Sequence, residues 1–271
     1  MHQVRQPAVA GIFYPRQRQA LSNDVMALLA TARAGAEATT SVPKAIIVPH
    51  AGYVYSGSTA ALAYACLAAG RKTITRVVLL GPAHRVSVRG LALPGVDSFA
   101  TPTGHIEVDL SAVAAIENLP QVVVDRAAHA LEHSLEVQLP FLQAVLADFK
   151  LVPLAVGDAT PDEVAQVLEA LWGGPETLIV ISSDLSHFLP YGAAQAVDRE
   201  TAQTILALSS SLSHHQACGG TPINGLLLAA RHHRLKPRLL RLCNSGDTAG
   251  DKQRVVGYAS FAFAEESNVV P

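Results

Sequence analysis

Cysteine is scarce in this chain: three residues, Cys66, Cys218 and Cys243, with no CxxC pair among them. A disulfide framework needs paired cysteines, so an odd, scattered count predicts free thiols and a reducing, cytoplasmic setting. Long apolar runs are missing as well. The most apolar stretch, Thr59–Ala69, falls short of the ~20 residues that a membrane helix requires. Met1–Pro15 lacks the apolar core of a signal peptide. No membrane partner is expected.

Charge is thin too. Charged residues make up 15% of the chain and the net charge is −2 with histidine neutral, so no nucleic-acid partner is expected. The one basic cluster, Arg231–Arg241, reads as a solvated helix end. Aromatics are only 5%, yet hydrophobic residues reach 49%, so Ala, Val and Leu must fill the core of an ordered protein.

With no repeat and no low-complexity linker, residues 1–271 are expected to form a single domain. A helix is predicted over Leu21–Ala32, followed by a loop over Thr31–Val42 carrying Gly35, Glu37, Thr39, Thr40 and Ser41. Short Val- and Ile-rich runs at Ala45–Val48, Val77–Leu80, Leu151–Val156 and Leu178–Ile181 read as buried strands. Helical spacing lies between and around them at Ser58–Ala69, Ala130–Ala147, Pro161–Leu171 and Gly225–Ala230, with a terminal strand at Val255–Phe263. The alternation predicts an α/β fold: a three-layer αβα domain with a mostly parallel or mixed central sheet.

Ligands of open α/β sheets bind outside the carboxyl ends of the strands. Three of the four runs deliver a histidine there: His50 in Pro49-His50-Ala51-Gly52-Tyr53, His84 in Gly81-Pro82-Ala83-His84, and His187 in Ser182-Ser183-Asp184-Leu185-Ser186-His187. Singly, His50 and His84 each read as a loop histidine bonded to backbone. Together at equivalent strand ends they read as a metal pair, since neutral imidazole suits zinc, copper and iron. Asp184 is placed either to orient His187 as an acid–base pair or to cap a following helix. Ser182 and Ser183 lack the GxSxG surround of an activated nucleophile.

His129-Ala130-Leu131-Glu132-His133 matches HxxEH, which on one helix would put two zinc ligands a turn apart with Glu132 as base. The leucines at 131, 135, 139 and 142 form an apolar stripe there, with Glu132 and Glu136 on another face. Cys218 reads as an inert buried thiol. The loop from Asn244 to Asp251 is a turn that can offer an acidic ligand through Asp247 or Asp251.

Several of these stretches together resemble the Memo family, also called the AmmeMemoRadiSam system protein B family. The matching residues are Arg5–Pro15, Pro49–Gly57, Leu80–His84, Glu132–Phe141, Ser182–His187 and the Ser245-Gly246-Asp247 loop, in order and across nearly the whole chain. The resemblance implies a fold like the catalytic subunit of class III extradiol, non-haem iron dioxygenases. It implies iron or copper, with zinc as a further candidate, bound through His50 and His84. It also implies that His187 is an acid–base group beside Asp184, and that His133 and Glu136 line the pocket.

Aligning the terminal loop on Val256-Gly257-Tyr258-Ala259 puts Thr248 where the family has a cysteine or glutamate ligand, so Asp247 is the nearest acidic candidate. Three functions follow: a metal-dependent, dioxygenase-like oxidoreductase, a non-catalytic module that grips a peptide or protein, and an HxxEH zinc hydrolase. The occupant of the pocket is a small molecule or peptide. The partners that the resemblance implies are radical-SAM and AMMECR1-type proteins.

Overall fold

A computed structural model describes residues 2–34 and 41–265. The chain opens with β1 (Val4–Arg5), α1 (Arg18–Ala34), β2 (Ala45–Val48), α2 (Tyr53–Ala65) and β3 (Arg76–Pro82). It continues through β4 (Leu91–Leu93), β5 (Ser98–Thr101), β6 (Gly104–Glu107), α3 (Leu110–Ile116), β7 (Val122–Val124) and α4 (Arg126–Ala130). Next come α5 (Leu139–Val145), β8 (Lys150–Val156), α6 (Pro161–Ala170), β9 (Thr177–Ser182), β10 (His187–Leu189) and α7 (Tyr191–Leu206). The last elements are α8 (Gly220–His232), β11 (Lys236–Asn244) and β12 (Val255–Ala264).

The main sheet runs β10-β12-β2-β9-β3-β8-β4-β7, with β11 also on β12. Its centre, β2-β9-β3-β8, is parallel, and antiparallel β12 and β4 flank it. The expected mixed α/β sheet is therefore present. Side chains alternate across it as strand geometry requires. Ile46, Val48, Val77 and Leu79 join α1, α2 and α5 in one core, while Ala45, Ile47, Val78 and Leu80 join α6 and α8 in the other. Each fully buried aliphatic side chain there contributes roughly 1.5–3 kcal/mol.

Local signals explain the helix starts. Thr160 and Glu163 form a reciprocal capping box ahead of α6, and Val164, Val167 and Leu168 supply its buried stripe. No helix among the described residues is long and apolar enough to cross a membrane.

Three expectations are corrected. The helix expected over Ala130–Ala147 is broken into α4, a turn, one 3₁₀ turn at Glu136–Gln138, and α5. Pro140 has no N–H to give to the Glu136 carbonyl, and the side chains of Glu132 and Glu136 are claimed by distant partners. Leu131 consequently leaves the leucine stripe and is exposed, while Leu135, Leu139 and Leu142 are buried. Arg238 and Arg241 stand on β11 and not at a helix end; charges on an outer strand discourage pairing with another chain. Residues 31–34 complete α1, and of the expected loop Gly35, Glu37, Thr39 and Thr40 lie outside the described residues.

Candidate metal centre

β2, β9 and β3 are neighbours and parallel, so their carboxyl ends deliver His50, Asp184 and His84 to one place. A fourth segment, 132–135, folds over the end of β3. Gly81 allows it: a Cβ there would lie 2.8 Å from the Ser134 hydroxyl and 3.1 Å from Leu135. Ser134 donates to the Pro82 carbonyl at 2.9 Å, which fixes the approach. His133 is thereby carried to the two strand-end histidines.

The three rings meet closely. Centroids lie 5.2 Å apart for His50–His84, 5.3 Å for His50–His133 and 4.7 Å for His84–His133. Each ring can offer a nitrogen, and the three nitrogens lie within 4.8 Å of one another.

Hydrogen bonds set two of the tautomers. The Ser182 hydroxyl gives its one hydrogen to the Ser134 carbonyl, 2.6 Å away. It must then accept, from Gln138 Nε2 at 2.9 Å and from His50 Nδ1 at 2.9 Å. His50 therefore carries its hydrogen on Nδ1 and keeps a lone pair on Nε2.

His84 Nδ1 lies 2.9 Å from Glu132 Oε1, and its backbone N–H donates to Oε2 at 2.6 Å. Burial works against ionisation of Glu132, yet the bonds from His84 and Ser134 outweigh it and hold the carboxyl down at about 2. An ionised carboxylate only accepts, so His84 also presents Nε2. His133 Nδ1 is buried, lies 3.3 Å from Glu132 without hydrogen-bond geometry, and has no other partner.

Burial lowers His50 well below the usual imidazole range and lowers His133 to about 4. Neutral His50 and His133 nitrogens thus stand beside the Glu132 carboxylate, a combination suited to a cation.

Asp184 is not a helix cap: β10 follows it, and its Oδ1 accepts the His50 backbone N–H at 2.8 Å. Burial pushes its carboxyl up to about 6 against that bond. The His187 ring is fixed by the Leu185 carbonyl at 2.8 Å, which takes the Nδ1 hydrogen and leaves Nε2 free for proton exchange. His187, Asp184 and His133 share a cavity of about 440 Å³ with Phe13, Tyr55 and Arg254. A larger cavity of about 600 Å³ lies beside Lys44 and Trp172, but the Lys44 amine is spent there on the Gly174 and Thr177 carbonyls.

Other sequence candidates sit elsewhere. Glu136 is fully buried and holds the N-terminal segment through Arg5, the backbone N–H groups of Ala8 and Val9, and the Tyr14 hydroxyl. Asp247 accepts from the Tyr191 hydroxyl and the Asn244 N–H. Thr248 donates to the Ser245 carbonyl. His129 of the HxxEH pattern bonds the Ala92 carbonyl at 2.7 Å, so it does not pair with His133.

Two residues that the sequence analysis left outside the site touch His50. Ser182 fixes the His50 tautomer, and Cys218 Sγ lies 3.3 Å from His50 Nε2 with its thiol pushed up to about 12 by burial. Neither carries a sequence signal, because both act through contacts between distant segments.

A family model described as Memo-like protein matches residues 5–262. A MEMO1 family protein of Aquifex aeolicus is 38% identical, over 96% of this chain and 99% of its own length. One from Aeropyrum pernix is 36% identical, over 94% of this chain and 98% of its own. Among solved structures, an uncharacterized protein from Escherichia coli K12, JW3007, matches with a TM-score of 0.52 at 15% identity. The match covers 82% of this chain and 99% of that one, a likeness of fold alone.

Proposed function

The chain belongs to the Memo-like protein family, and from that premise we propose that it is a metal-dependent, dioxygenase-like oxidoreductase acting on a small molecule. The observation that carries the reading is the meeting of His50, His84 and His133, whose donor nitrogens lie within 4.8 Å. The donors fit a divalent ion: His50 presents an unprotonated Nε2, and Glu132 backs His84 through Nδ1 in the manner of a carboxylate–histidine–metal triad. Iron or copper is the assigned class, and zinc suits the same donors. When bound, such an ion supplies Lewis acidity and, for iron or copper, electron transfer to dioxygen.

The chain's own residues do the rest. His187 lines the cavity, and with Nδ1 held by the Leu185 carbonyl its Nε2 is the group assigned to take or return a proton. Asp184 holds the His50 backbone in place and borders the same cavity. Phe13 and Tyr55 offer apolar walls to a planar substrate. Asp247 and Glu136, engaged elsewhere, are assigned to support of the surrounding backbone and not to the ion.

One domain accounts for residues 1–271, and cysteines that form no disulfide among the described residues favour a cytoplasmic setting. Radical-SAM and AMMECR1-type proteins are the partner classes assigned by resemblance. Anaerobic reconstitution with Fe(II), then with copper, followed by oxygen uptake on a panel of catechols tests the reading. Uptake that depends on the metal and on His187 supports it. Substoichiometric metal with no uptake on any catechol would favour the peptide-gripping module, and tight zinc the hydrolase.

A further inference from the structure

A second cluster of metal-type donors lies at the opposite end of the sheet. Glu169 is in the last turn of α6, and His232 and His233 close the C-terminal end of α8. Glu169 Oε1 lies 3.6 Å from His232 Nδ1 and Oε2 lies 2.8 Å from His233 Nε2. All three donor atoms fall within 4.8 Å of one another.

We infer that Glu169, His232 and His233 form a separate, surface site for a borderline divalent transition ion such as copper, nickel or zinc. Two ligands bound at ~2.1 Å with a tetrahedral angle sit ~3.4 Å apart, close to the spacing found here. Two imidazoles and one carboxylate are the ligand types that these ions favour over magnesium or calcium. The C-terminal end of α8 adds its partial negative charge, which stabilises a cation placed there.

The rings are prepared for the role. His232 and His233 stack at 4.8 Å and 15°, and His233 is in turn stacked on Trp172 at 3.8 Å and 9°. His233 and Glu169 are half-buried, with side-chain exposures of 28% and 35%, so two of the three ligands are already restrained. The ion takes the place of the hydrogen that joins His233 to Glu169, and the displaced proton passes to solvent. Water completes the coordination. Bound metal would clamp α6 to α8.

Trp172 is the one tryptophan in the sequence, so its emission reports this cluster and not the three-histidine centre. The test is a Cu(II) titration of the full chain, followed by tryptophan fluorescence. The His50→Ala/His84→Ala variant is titrated in parallel, so that failure of the other centre cannot be mistaken for failure of this one. Saturable quenching in both proteins is expected. Glu169→Gln and His232→Ala keep the Trp172–His233 stack and should weaken the apparent affinity at least as much as loss of an outer-shell partner, ~10–100-fold. No quenching, or equal quenching in the parent and both ligand variants, would overturn the inference and leave a simple ion pair at a helix end.

Discussion

His84 and Glu132 are joined twice, ring to carboxylate at 2.9 Å and backbone N–H to the other oxygen at 2.6 Å. The pair fixes both the orientation of the ring and the nitrogen it presents. Glu132→Gln keeps the shape and removes the charge. It should lower metal affinity by ~10–100-fold with little loss of fold. Isothermal titration with Fe(II) or Zn(II) under anaerobic conditions measures this, and unchanged affinity would detach Glu132 from the centre.

On the proposed reading, His187 moves protons and does not bind the ion. His187→Ala should leave the metal content unchanged and slow turnover by ~10²–10⁴-fold. Metal stoichiometry and single-turnover rate on one preparation separate the two roles. A loss of metal before any loss of rate would make His187 a ligand.

Glu136 and Arg5 form an ion pair with side-chain exposures of 0% and 4%. Removing one partner leaves the other charged and buried, which costs about 3–5 kcal/mol. Glu136→Ala should therefore lower the melting temperature sharply, and Arg5→Met should lower it as well. A variant of Glu136 that loses activity at full stability would return it to the pocket.

His129 gives a pH dependence of stability. Burial holds its imidazole down at about 4, with Arg5 adding to the effect and the Ala92 carbonyl opposing it. An unfolded histidine titrates near 6.5. On acidification the unfolded chain takes up the proton first, so stability is complete above about pH 6.5 and falls toward pH 4. The loss from this group amounts to about 3 kcal/mol across that window. Urea unfolding across it should show a shallower decline for His129→Gln, whose amide can still donate to Ala92. Identical slopes for variant and parent would show that His129 is not the group responsible.

Much of the frame was legible in the chain. Val- and Ile-rich runs located β2, β3, β8 and β9 because fully buried strands need unbroken apolar faces. His50 and His84 were legible because strand ends in such sheets converge. His133 was legible only by resemblance: helical spacing paired it with His129, whereas the break before α5 sends His129 to Ala92 and His133 to the centre. The acidic third ligand sought at Asp247 was a reading along the chain. The neighbour that geometry supplies comes from a segment admitted by Gly81, a contact invisible to local pattern.

On the proposed reading, His50, His84 and His133 hold one ion between them. This is tested by metal analysis of anaerobically reconstituted protein in the Glu169→Gln/His232→Ala background, where two of the three surface donors are removed. About one iron or copper ion per chain is expected, with a large loss in His133→Ala and none retained in His50→Ala/His84→Ala. Stoichiometric metal in the double variant, or undiminished affinity in His133→Ala, would contradict it.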